Sequence, residues 1–222
     1  MPHVSVAAVA DRLRRQSGLP LDTPDREVLL FATRAFCLTD KTFQSYDLPL
    51  AERLPGGEIE PRRLLTALKA MGLRTGMRRI REALDSSEQR ALLAHCCADL
   101  QTLPSQADEE AIIRVMAFGA TALFNSSPTT LWKSFAFLFP ERIPVADSLV
   151  RGLYSNMPVA RGNRTYTKLL ALMNDYRSNE WQTVLGFIWA NLPLSHQQRL
   201  SILRVFDICL WRSKKAQECP LL

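Results

Sequence analysis

The chain has 222 residues, 47% of them hydrophobic and 23% charged, the balance of an ordinary globular protein. That length supports one sizeable core, and that composition excludes a disordered or fibrous chain. The formal net charge is +6, from 28 lysines and arginines against 22 acids, which favours a polyanionic partner.

Apolar residues recur at helical spacing along most of the chain, and the alternation of a half-buried strand occurs almost nowhere. The first predicted helix covers about residues 4–16. The apolar run at its start has no basic segment ahead of it, so it reads as an amphipathic helix and not as a secretion signal. No stretch reaches the roughly 18–20 uninterrupted apolar residues of a membrane span, so no membrane partner is expected and the expected location is cytoplasmic. Thr23-Pro24-Asp25-Arg26-Glu27 is a helix start: a capping threonine, proline in the first turn, and acids near the positive end of the dipole. That helix runs to about Leu38, and a loop follows. Leu54-Pro55-Gly56-Gly57 is the clearest break and a candidate hinge.

Pro61 opens a helix that closes at Gly72, and a basic helix follows near 76–84. Ser86-Ser87-Glu88-Gln89 starts another, to about Leu103. Residues 107–124 read as a long apolar helix. Further helices fit 128–139, 147–156, 165–177, 179–190 and 195–213, with a frayed tail after Lys214-Lys215. The fold class is all-α, with about ten helices in one domain over 1–222. Two interleaved lobes are conceivable, one of about 1–57 plus the C-terminal helices and one of about 58–160.

Five cysteines (Cys37, Cys96, Cys97, Cys209, Cys219) form no C-x-x-C pair, and three scattered histidines complete no zinc pattern. The cysteines read as reduced, buried small hydrophobes, and neither a metal nor another cofactor is expected. The arginines cluster at Arg62-Arg63, Arg74, Arg78-Arg79, Arg81, Arg142, Arg151, Arg161 and Arg164, with Lys69 and Lys168 among them. Arginine grips phosphate with a planar fork, so nucleic acid is the favoured polyanion; a generally basic surface is the plainer alternative.

Residues 125–154 carry the most specific signal. Asn125-Ser126-Ser127-Pro128 opens an aromatic helix whose first N–H groups can hold a phosphate. Trp132-Lys133-Ser134-Phe135 places a cation among large aromatics. Pro140 and Pro144 follow, and Asp147 stands where the next helix begins. By itself Asp147 is an N-cap worth roughly 0.5–2 kcal/mol.

The segment from Lys133 to Val150 resembles the core of the helix-hairpin-helix DNA glycosylases. In that superfamily a helical hairpin is followed by an apolar stretch, a proline, two residues and a catalytic aspartate opening a helix. Pro144, Asp147 and Val150 fall in those places, and Arg151 stands where basic residues are common. Arg204-Val205-Phe206-Asp207-Ile208-Cys209-Leu210-Trp211 is similar to the closing helix of divergent bacterial members. The firm likeness covers about thirty residues. Ser126-Ser127-Pro128 replaces the family's Gly-x-Gly, and the lysine of its sugar-opening members would fall at Pro128, with Lys133 only fourteen residues before Asp147.

The resemblance implies a glycosylase fold with a cleft between two helical lobes. It also implies a monofunctional N-glycosylase acting on a damaged or modified base flipped out of double-stranded DNA. Glucosylated hydroxymethylcytosine of phage DNA is one candidate base, and antiviral defence one candidate role. Asp147 would stabilise the cationic sugar, and Lys133 would hold a phosphate or assist the leaving group. Ser126, Ser127, Arg151, Arg161, Arg164 and Lys168 would contact the DNA backbone. Trp132, Tyr154 and Phe36 would receive the base, with Phe43 a further aromatic candidate. No obligatory protein partner is evident. The competing reading is a helical DNA-binding protein without catalysis, in defence or regulation.

Overall fold

A computed structural model describes residues 3–53, 61–73, 77–103, 110–115, 128–145, 147–154 and 164–215. The described residues are helical or in turns, with no strand among them. The helices in chain order are α1 (Val6–Ser17), α2 (Asp25–Thr39), α3 (Lys41–Ser45), α4 (Leu50–Arg53), α5 (Pro61–Ala70), α6 (Met77–Asp85) and α7 (Ser87–Thr102). Then come α8 (110–115), α9 (Pro128–Leu138), α10 (Ser148–Leu153), α11 (Arg164–Arg177), α12 (Asn179–Ala190), α13 (Leu194–Gln197) and α14 (Ile202–Lys215). The all-α class holds.

Side-chain caps set several helix starts. Ser5, Asp40, Ser86 and Ser178 each accept a bond from a backbone N–H of the first turn they precede. Gly18 and Gly72 lie at φ 65° and 75°, the left-handed backbone that ends α1 and the turn after α5.

Several expectations change. The capping position of α2 is Pro24, without a side-chain bond, and not Thr23. The loop expected after Leu38 holds two short helices, α3 and α4, because Asp40 supplies a fresh cap through Thr42 N–H at 2.7 Å. The single helix expected over 195–213 is two: Gln198 to Ser201 break it, and the Ser201 hydroxyl accepts from Arg204 N–H at 3.0 Å to restart the chain as α14. Of the expected helix 107–124, residues 110–115 are helical and the remainder lies outside the described residues, as do the Gly56-Gly57 hinge and the tail after Lys215.

The last helix is the axis of the fold. α14 is buried on nearly every side from Leu203 to Leu210, and the charged Arg204 and Asp207 within that stretch are enclosed with the apolar residues, bonded to Asp47 and Val145. It packs against α1, α2, α10 and α12, while α5 packs against α3, α6 and α9. Turn 139–145 follows α9 and is bonded to α14. Pro140 O accepts from the Ser201 hydroxyl beside α14, and Arg142 donates to the carbonyls of Leu100 and Leu103 at the end of α7.

Candidate functional site

Helix α9 is buried from Thr130 to Leu138, so Lys133 on it is only 8% exposed. Its Nζ donates to the Met71 carbonyl at the end of α5, 2.8 Å away. The chain then turns through Pro140 and Pro144. Val145 N–H donates to Asp207 Oδ2 of α14 at 2.6 Å, and Val145 O accepts from Asp147 N–H at 2.8 Å. Asp147 Oδ1 accepts from Val150 N–H at 2.9 Å and caps α10. A chain of three hydrogen bonds therefore fixes the aspartate from the axis of the fold outward.

These residues line one recess of about 60 Å³, room for a few waters at roughly 10–15 Å³ each. Lys133 and Asp147 face it together with Val145, Arg204, Asp207 and the rings of Phe36 and Trp211. It lies where α14 and α2 meet the end of α5 and the middle of α9.

Its charges are unevenly held. Burial lowers the Lys133 pKa, and the Asp147 carboxylate opposes that shift. Burial likewise lowers that of Arg151, again opposed by Asp147. Arg204 is disfavoured as a cation by burial, yet Asp47 overrides this: Arg204 Nε meets Asp47 Oδ1 at 2.9 Å and Nη2 meets Oδ2 at 3.2 Å, so its proton is held more tightly than usual. Asp207 is 1% exposed. Burial pushes its carboxyl up to about 7, against the pull of Arg204 and the Val145 N–H.

The expected site residues separate into four groups. Asp147, Lys133 and Phe36 meet at the recess. Trp132 and Tyr154 do not line it: both are 1% exposed in the core, and the Tyr154 hydroxyl donates to Asp175 at 2.9 Å. Phe43 is buried edge-on to Phe36. Arg151 and Lys168 are half-buried, and Arg164 opens α11. Ser126, Ser127 and Arg161 lie outside the described residues. Asp207 and Trp211 are recess residues that sequence reasoning passed over. Their signal was the spacing Arg204, Asp207, Ile208, Trp211, which puts all four on one face of a helix.

No group of three or more His, Cys, Asp or Glu that could hold a metal occurs among the described residues. No helix among them is long and apolar enough to cross a membrane. The recess thus offers a capped carboxylate, a second and protonatable carboxyl, a buried ammonium and an aromatic wall. No family model, curated protein or solved structure matches the chain.

Proposed function

We propose that this protein is a monofunctional DNA glycosylase of helix-hairpin-helix type, acting on a damaged or modified base. The observation that carries the reading is the convergence of Asp147 and Lys133, from the start of α10 and the middle of α9, on one recess. The +6 charge suits a DNA partner.

The chemistry would run as a hydrolysis. As the bond from C1′ to the base nitrogen breaks, its electron pair leaves with the base, which takes a proton from solvent. Positive charge builds on the sugar, and the Asp147 carboxylate stabilises it. Water attacks C1′ and passes a proton to Asp147, which then releases it to solvent. One Asp147 oxygen is tied to Val150 N–H, so the carboxylate has a fixed aim. Lys133 is a cation near that carboxylate, and its bond to Met71 suits a positioning role better than attack on the sugar.

The recess is water-sized, so a flipped base would lie at its mouth, beside the half-buried Trp211, with the sugar toward Asp147. The same small volume favours the second reading, a helical DNA-binding protein without catalysis. One experiment separates them. The protein is incubated with DNA carrying a panel of modified bases, cytosine-modified phage genomes included, and alkali-labile abasic sites are counted. Base release that disappears in Asp147→Asn while DNA binding persists supports the enzyme. Binding without release on every substrate leaves the second reading.

A further inference from the structure

The recess contains a second acid whose geometry is unusual for a structural group. Asp207 lies on the central helix with Oδ2 bound to Val145 N–H at 2.6 Å. Its other oxygen, Oδ1, is buried and meets no hydrogen-bond partner among the described residues. A buried carboxyl oxygen without a partner costs on the order of 1–3 kcal/mol, and more when charged. Asp207 nevertheless lines the recess into which Asp147 and Lys133 also project. An asparagine or a smaller side chain could have held Val145 without burying an acid there.

Resting on the glycosylase reading, we infer that Asp207 is the second carboxyl of the site: its Oδ2 sets the turn that aims Asp147, and its Oδ1 holds the attacking water against Asp147. The space admits a few waters, and a bound water needs two to four polar partners. Asp207 Oδ1 and the Asp147 carboxylate supply two of them. The two acids are unlike in setting, since Asp147 is half-buried at a helix start and Asp207 is enclosed. Burial and the nearby charge of Asp147 both favour a proton on Asp207. A protonated Asp207 donates to the water oxygen while the water donates to Asp147. The oxygen keeps a lone pair for C1′, and the proton lost on attack goes to Asp147. Carboxyl pairs pushed toward different protonation states divide acid and base roles in this way.

Two measurements on the full chain test the inference. The first is a crystal structure of the wild-type protein at a resolution that shows ordered waters. A water within hydrogen-bonding distance of both Asp207 Oδ1 and Asp147 is expected; its absence overturns the inference whatever the activity. The second is single-turnover base release by Asp207→Asn, expected to slow at least about tenfold with DNA affinity altered less than about twofold. Asp207→Glu serves as the conservative variant and should recover part of the rate. Unaltered release in Asp207→Asn also overturns the inference. If the wild type releases no base from any DNA, the glycosylase reading fails by itself, and the bridging water still decides the role of Asp207.

Discussion

Lys133 on α9 donates its ammonium to the backbone carbonyl of Met71, 62 residues earlier in the chain. One cation thereby ties the middle of a buried helix to the end of α5 and stands beside Asp147 in the same recess. Burial lowers its pKa, the direction that suits a nucleophilic amine, but the bond to Met71 directs Nζ at the protein backbone. Anchoring and attack on the sugar make opposite demands on this atom, and the geometry favours anchoring.

Wild-type protein mixed with substrate DNA and borohydride should therefore give no covalent adduct, because no imine forms at Lys133. Lys133→Met should lose about 1 kcal/mol in denaturant melts, the usual worth of one hydrogen bond. A borohydride-trapped adduct that vanishes in Lys133→Met would reverse the assignment and make the enzyme a lyase.

Asp147 has separable structural and chemical roles. Asparagine also caps helices, so Asp147→Asn should keep stability within about 0.5 kcal/mol while abolishing base release. Asp147→Ala loses the bond from Val150 N–H as well and should cost roughly 0.5–2 kcal/mol. Chemical denaturation and abasic-site formation, measured on both variants, check the two roles independently.

Asp207 makes stability depend on pH in a definite direction. Its folded carboxyl keeps a proton up to about 7, whereas an ordinary aspartate gives its proton up near 3.8. Between those values the folded protein binds more protons than the unfolded chain, so this group lowers stability as pH rises, and the loss is complete above about 7. Asp207→Asn has no such proton. Its stability relative to wild type should increase between pH 4 and pH 8, and melts showing a constant difference would refute this.

The Asp47 carboxylate is fully buried and bonds both Arg204 and Arg53, the latter at 3.2 Å. Asp47→Ala leaves two buried guanidinium groups uncompensated and should cost about 3–5 kcal/mol. The double variant Asp47→Ala with Arg204→Met should lose less than the sum of its two singles, since the residues share one network. Additive losses in urea melts would place the network's contribution elsewhere.

Helical class and most boundaries were legible because they rest on local signals. The Ser86 cap and the Gly72 stop are written within a few residues of the helices they bound. The position of Asp147 at the head of α10 was equally local. What stayed hidden depends on distant partners. Nothing near Tyr154 in sequence reveals that its hydroxyl meets Asp175 in the core, so it looked like a pocket aromatic. Asp207 stood out only as part of the closing-helix segment, because its bond to Val145 spans 62 residues. The break before α14 was missed because Arg199 and Arg53 bind carbonyls across it, anchoring the loop by tertiary bonds.

The backbone N–H groups of His3 and Val4 end on Asp175, Thr33 touches Cys209, and Asp47 clasps Arg204, joining positions 172, 171, 176 and 157 residues apart. Helical proteins usually reach the native state quickly because their contacts are mostly between sequence neighbours. Here the first helix packs against the last one as well as against its neighbour α2. Acquisition of the native state should consequently be slow for an all-helical chain of this size, with the central axis settling last and unmated apolar faces open to aggregation until it does.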